Sequence, residues 1–102
     1  MTRLEARLAA LAATGETIAY GALARELGLR MGELTMQLEA LMETDAAAGR
    51  PFRAALLRQR LSPERLPAPG FFQKAATLGR PMDADGVDAE RQSVHLSTNI
   101  PG

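Results

Sequence analysis

The chain has 102 residues, 12 basic and 12 acidic, so its formal net charge is zero, and 46% of its residues are apolar. That suits one domain with a modest core, filled mainly by Leu, Ala and Met because only one Tyr and three Phe are present. The absence of cysteine excludes disulfides, thiolate metal sites and cysteine nucleophiles, and no apolar run approaches the roughly 20 residues that span a bilayer.

The start of the chain lacks the basic flank, apolar stretch and cleavage pattern of a secretory signal, so a cytoplasmic protein is expected. The zero net charge hides a strong asymmetry. Residues 1–49 hold four basic and seven acidic side chains, and residues 81–102 one basic and four acidic. Between them, residues 50–80 hold seven basic side chains against Glu64 alone. This middle block is the electrostatic signal of the sequence.

In chain order, Leu4, Leu8 and Leu11 recur at helical spacing and predict an amphipathic helix over 2–13, capped by Thr2 and stopped at Gly15. The β-branched Thr17 and Ile18 suggest a short strand within 16–19. Leu23, Ala24 and Leu27 then form one narrow apolar stripe, and Gly28 stands where a helix commonly ends in the left-handed conformation. A third helix is expected from Met31 to Ala47, since Met31, Leu34, Leu38, Leu41 and Met42 keep a 3.6-residue period. Glu33, Glu39, Glu43 and Asp45 are assigned to its outer surface. Helix, tight glycine turn, helix is the helix-turn-helix pattern.

Gly49-Arg50-Pro51 ends that helix, because a residue before proline avoids helical geometry. Phe52 to Gln59 reads best as a strand with both faces partly covered, although its alanines leave a helix open. Residues 60–70 hold Pro63, Pro67, Pro69 and Gly70, which leaves room for a single turn at Ser62–Arg65. A further helix is expected over 71–78, ending at Gly79. Beyond Pro81 the chain turns acidic, with Val87, Val94, Leu96 and Ile100 as its apolar anchors, and reads as a tail or docking arm. The expected architecture is mainly α with a small β-wing: a winged helix-turn-helix over 1–80, its wing at about 50–70, and the arm over 81–102.

In such a fold the second helix of the pair reads bases in the major groove. Here it presents Arg30, Thr35 and Gln37, but in company with acids that phosphates repel. Phosphate contact is therefore expected mainly from the wing arginines Arg50, Arg53, Arg58 and Arg60, whose planar forks suit it, with Arg30 assisting. The partner on this reading is double-stranded DNA. A rival use of the same fold is protein association, with the acidic helix face and the basic wing paired across a symmetric dimer. Chemistry finds little support. His95 is the only histidine, and Asp83, Asp85 and Asp88 lack the closing glutamate of a calcium loop, position 94 being valine. Ser93, Ser97 and His95 make no credible hydrolytic triad, so neither an enzyme nor a cofactor is expected.

Ile18-Ala19-Tyr20-Gly21-Ala22-Leu23-Ala24 resembles the Thr-Tyr-Gly-x-Ile-Ala stretch of the alkylguanine-DNA alkyltransferases and alkyltransferase-like proteins. Pro51 lies 31 positions after Tyr20, near the place of that family's Pro-Cys-His-Arg motif, and Leu66 to Phe71 is similar to its later Leu-x-Gly-aromatic segment. The resemblance covers roughly residues 17–74. It implies a winged-helix DNA-binding fold and gives Tyr20 the role of the tyrosine that helps turn a damaged nucleotide out of the duplex. It also implies an arginine wedge at the start of the groove helix, where Arg30 is the nearby arginine. At the motif this chain reads Pro51-Phe52-Arg53-Ala54, so the acceptor cysteine and its activating histidine are missing. Alkyl transfer needs that thiolate, and what the resemblance leaves is a damaged-base sensor. The sequence also resembles small bacterial winged-helix proteins with a Gly-x-Pro strand followed by Pro-x-Gly-Phe-Phe, a likeness that implies no activity.

Overall fold

The computed structural model describes residues 2–99. Ile100, expected as an apolar anchor, lies outside the described residues. The first helix, α1 (Arg3–Thr14), begins with a reciprocal cap in which Thr2 Oγ1 accepts the Glu5 N–H at 3.1 Å and Glu5 Oε1 accepts the Thr2 N–H at 3.2 Å. A two-residue strand, β1 (Ile18–Ala19), leads directly into α2 (Tyr20–Leu27). Gly28 ends α2 at φ 67°, where any Cβ would be strained, and the Leu29 N–H returns to the Ala24 carbonyl at 2.9 Å. Two residues later α3 (Met31–Ala47) begins, and it packs against α2 as the second member of the pair.

The segment after α3 departs from expectation. Residues Arg53–Leu56 form a 3-10 turn, and only Leu57–Arg58 is extended, as β2. The reason is burial on every side. Phe52, Ala54, Ala55, Leu56 and Leu57 are all buried, and α1, α3 and α5 (Ala84–Asn99) all pack against this turn. A stretch with no exposed face has no alternation to satisfy, so side-chain packing and not strand pairing sets its backbone. The segment is the centre of the core.

The sheet also differs from a β-wing. β1 and β2 pair in parallel, with Ile18 opposite Leu57 and Ala19 opposite Arg58. Parallel neighbours need a long crossover, here supplied by α2 and α3, whereas a wing is a hairpin of adjacent strands. Residues 59–67 form a loop closed on itself instead. The Gln59 N–H donates to the Leu66 carbonyl at 2.8 Å, and the Leu66 N–H to Ser62 Oγ at 3.0 Å. The molecule is thus mainly helical with a small parallel pair.

The next helix, α4 (Pro69–Thr77), takes Pro69 in its first turn, where the missing N–H costs nothing. Phe71 from α4 meets Phe52 edge-on at 6.1 Å between ring centres, and the Arg80 guanidinium lies over the Phe52 ring at 3.8 Å. The acidic stretch beyond Pro81 is no loose tail. Over residues 84–99 it is helix, docked on α1, with Val87 and Val94 buried in the common core. Asp83, one of the three aspartates examined as a calcium motif, accepts the Gly86 N–H at 2.9 Å near the start of α5.

One charged cluster braces the centre. Asp45 is completely buried, although the helical period of α3 assigned it to the outer surface. Its carboxylate accepts Arg53 Nη2 at 2.8 Å and the Arg53 backbone N–H at 3.1 Å, while Arg53 Nη1 reaches Glu5 at 3.1 Å. Burial lowers the proton affinity of Arg53, but its bonds to Asp45 and Glu5 outweigh that and raise its pKa. The Thr2 N–H, followed by the Arg53 guanidinium, holds the Glu5 carboxyl below the usual glutamate range. A lowered carboxylate pKa contributes stability that is present above the unfolded-state value and lost as pH falls through the folded-state value. Glu5→Gln should therefore flatten the acid side of the melting temperature against pH, read by circular dichroism, and leave the neutral slope unchanged.

Candidate nucleic-acid interface

The basic block divides into two groups. Arg50, Arg53 and Arg80 gather on the side of Asp45 and Glu90. Arg53 is held as described, Arg80 bonds Glu90 at 3.0 Å and the Arg50 carbonyl at 2.7 Å, and Arg50 lies 3.6 Å from Asp45. Lys74 pairs with Glu43 at 3.4 Å. Arg53 is thus the clearest correction among the expected phosphate contacts, because its whole guanidinium is committed inside the protein. Arg50 keeps an exposed side chain beside that cluster.

Arg58, Arg60 and Arg65 form the other group. They line an open polar depression of about 700 Å³, bounded by residues 15–17, by the 59–67 loop, and by Asp88 and Arg91 of α5. None of the three takes part in an ion pair among the described residues. Glu16, Glu64 and Asp88 share the rim with Arg58, Arg60, Arg65 and Arg91, so the depression is only slightly basic.

The loop that carries Arg60 and Arg65, directly after Arg58 of β2, holds its shape. Gln59 Nε2 donates to the Pro67 carbonyl at 3.1 Å, and the Arg65 N–H to the Ser62 carbonyl at 3.1 Å. Arg65 itself sits at φ 57°, a left-handed conformation uncommon for a residue with a Cβ. Arg91 clamps it there. Its guanidinium donates to the carbonyls of Ala55 at 2.6 Å, Leu57 at 3.1 Å and Arg65 at 2.7 Å, tying α5 to the central turn, to β2 and to the loop. Burial pulls the pKa of Arg91 below the ordinary arginine value, while arginine in a protein keeps its charge. Fixed backbone at a charged loop reduces what a ligand must order on binding.

Arg30 is exposed at the head of α3, apart from both groups, and Glu33 accepts its backbone N–H at 2.9 Å. Thr35 and Gln37 are exposed as well, as are Met31 and Met36. Tyr20 is not free at the surface. Its hydroxyl oxygen accepts the Ala68 N–H at 2.9 Å, and its ring walls a small apolar pocket that α3 and the start of α4 also line. The loop therefore runs from the arginine depression to the flank of the first turns of α3.

Two residues of this region escaped the sequence reading. Arg65 belonged to the basic block, but nothing in the sequence marks its left-handed backbone. Arg91 did carry a signal: with Val87 and Val94 it falls at i, i+4 and i+7, a basic residue on the one apolar face of an acidic stretch. No protein-family model matches this chain, and no curated protein and no solved structure matches it significantly. Among the described residues, no helix is long and apolar enough to cross a membrane.

Proposed function

We propose that this protein is a small, non-enzymatic helix-turn-helix module that binds double-stranded DNA. Its relation to the winged helix lies in the three N-terminal helices, with the 59–67 loop standing where a wing would be. The observation that carries the reading is the arginine trio. Arg60 and Arg65 on the 59–67 loop and Arg58 on the adjoining β2 form no ion pair among the described residues and face one depression, while Arg53, Lys74 and Arg80 are drawn toward partners within the protein. Such forks suit phosphate oxygens, which position a protein on a duplex before any base is read. Arg30 and the exposed first turns of α3 would follow into the groove. The acids further along α3 limit how deeply it can enter, so binding should lean on the backbone and discriminate weakly between sequences.

Fluorescence anisotropy with a labelled mixed-sequence duplex tests this directly. Binding at low salt that weakens steeply as salt is added is the expected result. Absence of binding at low salt ends the reading. Light scattering on the same samples separates the rival: a symmetric dimer that does not bind DNA would point to protein association through the acidic and basic faces.

A further inference from the structure

The pocket beside Tyr20 has a chemistry of its own. It is a half-open cleft of about 130 Å³ between α3 and the start of α4, with walls that are almost entirely apolar. Met31, Leu38 and Met42 line it from α3 and Phe71 from α4, while Thr35 and Glu39 stand exposed at its rim. An apolar cavity of about 150 Å³ takes a benzene ring, so this one is of the size of a single six-membered ring. The Tyr20 oxygen is pinned by the Ala68 N–H, and no group among the described residues accepts the Tyr20 proton. Burial raises the phenol above its ordinary pKa, which keeps that proton in place as a donor. Glu39, which has no ion-pair partner among the described residues, sets a negative charge at the entrance.

We propose that this pocket binds a small uncharged molecule built on one six-membered ring, with a hydrogen-bond acceptor placed to receive the Tyr20 hydroxyl. The apolar walls select the ring, the Tyr20 hydroxyl selects the acceptor, and Glu39 turns away anions. The inference stands on the pocket and not on DNA binding. Because α3 supplies half of the lining, an occupant would also brace the exposed helix against α4.

Three probes separate the contributions: acetophenone carries ring and carbonyl, ethylbenzene the ring alone, and benzoate a charged counterpart. Calorimetric titration with amide chemical-shift mapping should show saturable acetophenone binding centred on Tyr20, Leu38 and Phe71. Ethylbenzene should bind about fivefold more weakly, the usual worth of one net hydrogen bond, and benzoate should not bind. Tyr20→Phe should bring acetophenone down to the ethylbenzene level without changing ethylbenzene itself. Thr35→Trp, at an exposed rim position whose folding is checked by circular dichroism, should block all binding and decides the matter if Tyr20→Phe proves unstable. The proposal is overturned if acetophenone shows no saturable binding, if benzoate binds equally well, or if Thr35→Trp leaves binding unchanged.

Discussion

Asp45→Ala is expected to cost about 3 kcal/mol of folding stability, the lower end of the range for breaking a buried ion pair from one side. The carboxylate is fully buried and holds the Arg53 guanidinium, the Arg53 backbone N–H and, at longer range, Arg50. Its removal leaves a backbone donor and a charge without their partner at the head of the central turn. The loss stays at the lower end because Arg53 is about one-fifth exposed and keeps Glu5 at 3.1 Å. For a domain of this size that should lower the melting temperature by roughly 15 °C. Adding Arg53→Met to Asp45→Ala should recover part of the loss, since an apolar pair avoids the stranded charge. Urea denaturation of the two single variants and the double variant completes the cycle. A loss below about 1 kcal/mol for Asp45→Ala would show that water replaces the carboxylate, and that the cluster contributes little to holding the turn.

That same cluster shows where the sequence stopped being legible. The helices announce themselves locally: Leu4, Leu8 and Leu11 repeat with the helical period, and Gly15 and Gly28 end α1 and α2 in left-handed geometry. Asp45 carries no such mark. A lone acid on an otherwise acidic helix reads as solvated, and only the return of Arg53 at the close of the next loop makes its burial tolerable. The pairing of Arg53 is hidden for the complementary reason, because an arginine within a basic block looks available until its carboxylates are located. The central turn is hidden by composition, since Phe52 to Leu57 is apolar apart from Arg53 and has no period to distinguish a strand from a 3-10 turn. The parallel pairing of β1 and β2 joins residues about 40 positions apart in sequence, beyond the reach of local patterns. The candidate interface was half visible. Arg58 and Arg60 could be read from charge, whereas the clamp on Arg65 depends on Arg91, contributed by a helix that the acidic composition disguised.

The triple variant Arg58→Ala, Arg60→Ala, Arg65→Ala is the sharpest test of the proposed DNA contact. Arg60 and Arg65 are exposed and Arg58 is partly so, and the bond that clamps the loop uses the Arg65 carbonyl and not its side chain. Alanine at position 65 bears the same left-handed strain as arginine, so the loop geometry should persist. Each arginine on a phosphate releases condensed counterions and contributes about 0.9 to the log–log slope of affinity against salt. Loss of all three should make that slope shallower by about 2.7, equivalent to a roughly 40-fold smaller penalty for a fourfold rise in salt. At low salt, where these contacts matter most, the variant should fall furthest behind the unaltered protein. Arg50→Ala serves as the comparison, because Arg50 lies beside Asp45 and away from the depression. It should change the slope by much less than the triple variant. Equal slopes for the unaltered protein and the triple variant, measured by anisotropy on one duplex across a salt series, would remove this loop from the interface. The phosphate contacts would then have to come from Arg30 and the head of α3.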